Sequence, residues 1–409
     1  MPVNIIPFFS SLAAPCLIET HTKRLAESGA RLFTPSEFKE AFQNGEKVNE
    51  AMNVFFIGTG GTENQVAEFV EDTKVSPPFV ILSHPANNSL PASMEIRTYL
   101  ERNGDKATIV HHPLNGLVKK LRTWESFTGI LETLRKSKFG LVGEPSFWLI
   151  ASKVNREKVK ERWGISFHDY NLKLLNEKED TSASIIIQTE FTDNAFSIDI
   201  PLEEIEKAST VAARLERLLK DESLSAITVQ CFDFLMDTKV SGCLALSHVN
   251  NQSDCTAGCE GDVPTTFTML LSRLLTGSSG FMSNVTDVQS ESSSVIFAHC
   301  TVATSLVSKY EVTTHFESGM SVGIRGIFDH QDVTIFKVGG DNLSDYWVSS
   351  GKILENLRSE DGCRTQIRVS IDKDVNYFLE NSLANHHVVI PGDYSELIEE
   401  FFEFVSLRV

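Results

Sequence analysis

"VFFIGTGGTENQVAEFVEDT", Val54 to Thr73, sets an unbroken apolar run against a glycine-rich turn and then a helix-like segment. A short apolar run without polar alternation belongs to a strand buried on both faces. The pattern repeats downstream. "PFVILSH" reads as a second strand, "SLPASMEIRTYLERNG" as a helix ending at Gly104, and "ATIVHH" as a third strand. "LVKKLRTWESFTGILETLRKS" is the next helix and "FGLVGE" a fourth strand. Buried strands alternating with helices predict a parallel sheet covered on both faces. This gives an N-terminal α/β domain over residues 1–145.

A second α/β pass is expected over residues 146–290. "SFWLIASKVNREKVKERWG" reads as a helix ending at Gly164, and "SIIIQTEF" as a strand or connector. "LEEIEKASTVAARLERLLKDE" has helical amphipathic spacing, "AITVQCFDFL" and "GCLALSHVNNQ" read as strands or their ends, and "PTTFTMLLSRLLTG" is a helix with Pro264 in its first turn. From about Ser292 the segments become short, β-rich and punctuated by Gly and Asp. That texture predicts an antiparallel sheet or small barrel over residues 291–409, with a final helix packing back on the second α/β domain. The predicted fold is α/β: two doubly wound, Rossmann-like α/β domains followed by a β-rich, barrel-like C-terminal domain.

The chain has 409 residues, too many for one core. Its 37 basic and 55 acidic residues give a net charge of −18. This excludes a broad nucleic-acid or anionic-membrane surface, which needs basic patches. The opening stretch "MPVNIIPFFSSLAAPCLIETHTKRL" has no basic leader and is broken by Pro2, Pro7 and Pro15, so neither a signal peptide nor a span is expected. No later segment reaches the ~18 apolar residues of a membrane span. Seven cysteines, an odd number without export signals, predict reduced thiols in a cytoplasmic protein. Cys255 and Cys259 have C-x3-C spacing but lack the second ligand pair of a zinc site.

"AGCEGDVPTTF", Ala257 to Phe267, places two carboxylates in an apolar turn before a helix. Asp262 suits the N-cap of that helix. Glu260 is not needed as a cap, and it stands at a strand-to-helix turn, where open α/β sheets bind ligands. "IGTGGTENQ" lacks both dinucleotide glycine spacing and a Walker lysine, and Glu63 would repel an anion, so a tight turn or a neutral polyol contact is expected there. In "SHPANNSLPASME", Asn88 and its neighbours are either a helix cap or neutral partners for sugar hydroxyls. Asp287 and His299 are either a turn Asp and a core His or site residues. His386 and His387 precede an apolar run, and adjacent strand side chains face opposite ways, so one can be a ligand while the other is not. One imidazole with carboxylate and water oxygens suits a hard-to-borderline divalent ion such as Mn²⁺.

Together "CFDFL", "GCLALSHVNNQ", "AGCEGDVPTTFTMLL", "FMSNVTDV", "AHCTVA", "THFESG", "CRTQIRV" and "NHHVVIPGDY" resemble the L-fucose isomerase / L-arabinose isomerase superfamily, in particular its shorter fucose-isomerase-like members. The resemblance is best from about Ala226 to Asp393. It implies a cytoplasmic, Mn²⁺-dependent (or other divalent-cation-dependent) aldose–ketose isomerase working through an ene-diol, and a homo-oligomer, trimer or hexamer, in which a neighbour's N-terminal domain closes each site. It implies Glu260, Asp287 and His387 as metal ligands, with His386 competing for the last position. Glu260 and Asp287 then double as acid and base. Substrate contacts are expected from His299, His386, Gln366 and, across a subunit boundary, Asn88. His315 and Glu317 either face the same cavity or pair within the barrel. The alternatives are a non-catalytic sugar-binding or regulatory protein on the same fold, or an epimerase of a related polyol.

Overall fold

The computed structural model describes residues 3–48, 51–75, 77–177, 181–252, 254–329 and 331–407. The chain forms two compact units, residues 1–133 with 399–409, and residues 134–398.

In the first unit, strands β1 (Val3–Phe8), β2 (Arg31–Leu32), β3 (Met52–Ile57), β4 (Phe79–Ser83) and β5 (Ala107–His111) form one sheet in the order β2-β1-β3-β4-β5. Every pairing is parallel. The connecting helices are α1 (Pro15–Ala26), α2 (Pro35–Gln43), α3 (Glu63–Thr73), α4 (Ser89–Arg102) and α5 (Leu114–Lys136). Phe8, Phe38, Phe55, Phe69 and Phe79 fill the core on one side of the sheet. The strand β1 was hidden in the sequence because Pro2 and Pro7 argue against a central strand. Its six residues are nonetheless wholly buried. The order turns back on either side of β1, so the ends of β1 and β3 open a crevice. Gly60 is required there, because a Cβ would lie 2.9 Å from Asn88 Cβ.

The second unit begins with β6 (Lys138–Val142), α6 (Arg156–Trp163), β7 (Ser166–Tyr170), α7 (Thr181–Asn194), β8 (Ser197–Ile198), α8 (Leu202–Glu222) and β9 (Ala226–Val229). Next come α9 (Cys231–Thr238), α10 (Cys243–Asn251), β10 (Thr256–Gly258) and α11 (Val263–Thr276). A parallel sheet runs β10-β9-β6-β7. Then follow β11 (Phe281–Gln289), β12 (Ser294–His299), β13 (Lys309–Thr313), β14 (Gly323–Ile327), β15 (Asp332–Gly339), β16 (Asp345–Asn356), β17 (Thr365–Ile371), α12 (Tyr377–Glu380), β18 (His387–Pro391) and α13 (Ser395–Ser406). Six of these strands close an antiparallel barrel, β11-β12-β17-β16-β15-β18. The remaining strands form a small sheet, β14-β13-β8.

The α/β fold with a C-terminal barrel is as the sequence predicts. Several assignments differ in detail. "FGLVGE" is β6, which pairs with β7 and β9 in the second sheet rather than extending the first. "SIIIQTEF" lies in α7, and "CFDFL" and "GCLALSHVNN" are helices α9 and α10. Residues Cys243 to Asn250 of α10 are all buried, so no polar face marks a helical period. The barrel starts at Phe281, ahead of the change in texture. Phe404 and Phe401 of α13 pack on Trp124 and Phe127 of α5, whereas the sequence placed this helix on the second α/β domain.

Candidate active site

The chemistry gathers in the second unit, where β10 turns into α11 beside the barrel. Asp262 caps α11 by accepting a hydrogen bond from the Thr265 N–H at 2.9 Å, and Pro264 occupies the first turn. Two residues earlier Glu260 adopts φ 62°, a left-handed conformation uncommon for a residue with a side chain. Gly261 follows at φ 69°, where an added Cβ would strike Pro145 at 2.6 Å. The tight turn aims the Glu260 carboxylate into a cavity that it shares with Asn284, His299, His315 and Glu317.

Glu260 is 7% exposed, and each of its oxygens has a neighbour. The Trp148 indole N–H donates to Oε2 at 2.7 Å. His386 Nε2 lies 3.5 Å from Oε1, and His299 Nε2 lies 3.9 Å from the same oxygen. Burial opposes ionisation of Glu260, but the nearby His386 and His299 imidazoles and the Trp148 N–H outweigh it and hold the acid below its ordinary range.

Behind His386 runs a buried polar chain. Its Nδ1 is 2.8 Å from Asp262 Oδ2, and the Lys337 ammonium donates to Thr265 Oγ1 at 2.6 Å. Asp262, Lys337 and His386 have no exposed surface. Burial works against the Asp262 charge, yet Lys337, His386 and the Thr265 N–H together keep it well below the usual carboxylate range. Burial likewise disfavours a charged His386, but Asp262 and Glu260 push it up to about 9. His299 goes the other way: burial, then the neighbouring His386, lower it to about 3. Burial and then the Glu260 charge raise Glu317.

The structure therefore brings together Glu260, His299 and His386. It does not bring Asp287 or His387 to them. Asp287 is exposed beyond a bulge in β11, held by the Gln289 amide at 3.1 Å. Three positions earlier on the same strand, Asn284 lines the cavity instead. His387 heads β18 and faces the opposite way from His386. Its Nδ1 meets the Asn385 carbonyl at 3.0 Å, its Nε2 meets the Tyr377 hydroxyl at 3.0 Å, and its ring packs near Trp347 and Phe378. Gln366 spends its amide inside a loop, accepting from Ser359 N–H and donating to the Ser359 and Cys363 carbonyls. Asn88 lies in the first unit, exposed at the head of α4, and makes no capping hydrogen bond.

Trp148 and Lys337 carry no sequence signal as site residues, because each joins the cluster through distant pairings, whereas of the two readings open for His315 and Glu317 the structure shows the one that faces the cavity. The "HH" pair did signal two rings that face opposite ways: His386 faces Glu260, and His387 faces Tyr377. Cys231 and Cys259 are disulfide-bonded, which corrects the expectation that all seven thiols are reduced.

A two-imidazole, one-carboxylate arrangement suits a borderline divalent cation. The donor set passes a test in this structure: His386 Nε2 is buried without a hydrogen-bond partner, 3.5 Å from Glu260. Its other nitrogen faces a carboxylate, as metal-bound histidines commonly do.

No family model matches the chain. In class, the proteins it is similar to are sugar isomerases. Two named sulfoquinovose isomerase, from Priestia aryabhattai and Priestia megaterium (strain ATCC 12872 / QMB1551), are each 23% identical over 305 residues, 68% of this chain and 65% of the relative. A third of that name, from Alkalicoccus urumqiensis, is 22% identical over 219 residues, 50% of this chain and 48% of the relative. The match thus spans about two thirds or less of the length of these curated relatives. Among the described residues, no helix is long and apolar enough to cross a membrane.

Proposed function

We propose that the chain is an aldose–ketose isomerase that moves a proton between C1 and C2 of a monosaccharide through an ene-diol, in a cytoplasmic setting. The observation that carries this is the unpartnered His386 Nε2 facing Glu260 in a cavity with a second carboxylate. The similarity to sulfoquinovose isomerases supports the reaction class. Glu260, His299 and His386 would hold a divalent cation, Mn²⁺ or a similar ion. When bound, such an ion supplies Lewis-acid polarisation of the sugar's carbonyl and hydroxyl oxygens.

The protein's own groups do the remainder. Asp262 fixes His386 with Nδ1–H toward itself, so that Nε2 would become the lone-pair donor once a cation displaces its proton. Trp148 fixes Glu260, and His386 and His299, against the effect of burial, keep it ionised. Glu317, raised by burial and by the Glu260 charge, is the group best suited to accept a carbon-bound proton and return it at the neighbouring carbon. Two carboxylates pushed to opposite sides of their ordinary values is the pattern of an acid–base site. This moves the second carboxylate of the mechanism from Asp287 to Glu317.

The sugar is a sulfoquinovose-type or a fucose- or arabinose-type aldose. Two carboxylates at the cavity favour the neutral, hydroxyl-bearing end of the sugar, and a sulfonate end would be held elsewhere. The active form is a homo-oligomer in which Asn88 of another copy contacts the sugar. The test is incubation of the ion-loaded protein with sulfoquinovose, L-fucose and L-arabinose in D₂O, followed by NMR. Deuterium at C2 of the aldose or C1 of the ketose is expected. Loss of an aldose to a C2 epimer alone would make the protein an epimerase, and tight sugar binding with no exchange would make it a binding protein.

A further inference from the structure

Five of the seven cysteines, Cys231, Cys243, Cys259, Cys300 and Cys363, line the cavity that holds Glu260 and His299. The proposed isomerase chemistry uses none of them. Cys259 has two partners in reach. Its Sγ lies within 4.8 Å of a carboxylate oxygen of Glu260 and a ring nitrogen of His299. It is also bonded to Cys231 at the start of α9, with the two Cα atoms 6.2 Å apart. The Cys231 sulfur accepts the Glu260 backbone N–H at 3.1 Å, so this pair grips the turn that presents the carboxylate.

We propose that Cys259 is a cation ligand in the reduced protein, completing a thiolate–carboxylate–imidazole set with Glu260 and His299, and that the Cys231–Cys259 disulfide withdraws it, so that oxidation and cation binding oppose one another. A thiolate added to imidazole and carboxylate shifts the preference from Mn²⁺ toward Zn²⁺-like ions. A sulfur already spent in a disulfide is no thiolate ligand. The oxidant is a low-molecular-weight disulfide, R–S–S–R. One protein thiolate attacks it, forming a mixed disulfide and releasing one R–S⁻. The other protein thiolate attacks the protein sulfur of that mixed disulfide, the Cys231–Cys259 bond forms, and the second R–S⁻ leaves. Two electrons pass to the small disulfide; the Cys231 proton and one proton from water, in place of the one Cys259 gave up on binding the cation, end on two R–SH. The cation keeps its charge and is released. In a reducing cytosol the ligand form prevails, and oxidation lowers cation occupancy.

The inference rests on the cation-bound form of the proposed active site and not on turnover, and its test reads binding. Co²⁺ is titrated into the chelated full-length protein, reduced and then treated with oxidised glutathione, with near-ultraviolet absorption reporting cobalt–thiolate charge transfer. The reduced wild type is expected to bind one Co²⁺ with that band. The oxidised protein is expected to lose the band and bind about a hundredfold or more weakly, as loss of a ligand exceeds the 10–100-fold effects of outer-shell changes. Cys259→Ser should lack the band in both states. Cys231→Ser should keep it after treatment, measured on protein whose intact mass shows no added glutathione. Cobalt bound equally in both states without the band would overturn the proposal and leave the isomerase reading standing. No cobalt bound in any form would overturn both the ligand set and this inference. Peptide mapping that finds Cys300–Cys363 as the oxidised pair, with Cys259 free, would also overturn it. The wild-type comparison decides the matter even if a variant fails to fold.

Discussion

His386 Nδ1 lies 2.8 Å from Asp262 Oδ2, and neither side chain has exposed surface. Asp262 thereby serves three groups at once: it caps α11, faces the His386 ring, and supplies the charge opposite buried Lys337. Removing one member of a buried charged set leaves the others uncompensated, which costs about 3–5 kcal/mol. Asp262→Ala is expected to lose stability in that range in urea unfolding. Asp262→Asn keeps an oxygen for the cap and should lose less. Adding Lys337→Met to Asp262→Asn should recover part of the loss, because the uncompensated ammonium is then gone. Additive losses in that cycle would show that Lys337 and Asp262 do not depend on each other.

The buried histidines set opposite arms of the stability curve in protein freed of divalent ions. His386 has an ordinary value of 6.5 and is raised to about 9 in the folded state. Its contribution is complete below pH 6.5 and is lost as pH rises through 9. His299 and His387 are lowered from 6.5 to about 3 in each case, by burial first. Between those values the unfolded chain takes up protons that the folded chain refuses, so stability falls as pH drops below 6.5. Asp262, held low, adds to the acid loss below its ordinary 3.8. The melting temperature is therefore expected to peak near pH 6.5, and His386→Gln should flatten the alkaline arm. Circular dichroism melts from pH 4 to 10 check both.

How much of this was legible in the sequence follows the range of the interactions. Local rules found Asp262 as a cap and α11 with its early proline, because an N-cap is decided within three residues. They found Glu260 as the carboxylate left over by the cap. They missed α10, because a helix buried on every side has no period to see. They left Asp287 open between a turn and a site; the family resemblance made it the second carboxylate, and neither could see the bulge between Val285 and Asp287, which changes which residues of β11 face inward. Trp148 and Glu260 are 112 positions apart, and Lys337 and Thr265 are 72 apart. The first contact exists only once β6 and β10 share the second sheet, and the second only once barrel strand β15 meets α11.

The two carboxylates should separate in a kinetic test. Glu317→Gln is expected to lower kcat about 10²–10⁴-fold, the range for a positioned acid–base group, while cation binding stays near the wild-type value. Glu260→Gln should lose both. Asp287→Asn, at an exposed position, should change neither by more than about twofold, in keeping with surface substitutions within ~0.5 kcal/mol. Deuterium exchange into the sugar measures the first quantity, and calorimetric titration with Mn²⁺ the second. A large loss in Asp287→Asn with Glu317→Gln unaffected would return the second carboxylate to β11.

The adjacent histidines give the sharpest contrast. His386 presents an unpartnered Nε2 beside Glu260, whereas both nitrogens of His387 are already bonded, to Asn385 and Tyr377. His386→Ala is therefore expected to abolish Mn²⁺ binding. It also takes from buried Asp262 one of its two charged neighbours, so the melting temperature should fall too. His387→Ala opens a hole among Trp347, Tyr377 and Phe378 and removes the acceptor of the Tyr377 O–H, which keeps only the Leu383 N–H that it accepts. Truncating a buried ring of that size typically costs about 2–5 kcal/mol, yet the cation site is on the other face of the strand and should be kept. His387→Gln restores a polar partner for Tyr377 and should recover part of the stability. Calorimetry on the folded variants decides between the neighbours: loss of Mn²⁺ binding in His387→Gln, with His386→Gln still binding, would reverse the assignment by one residue.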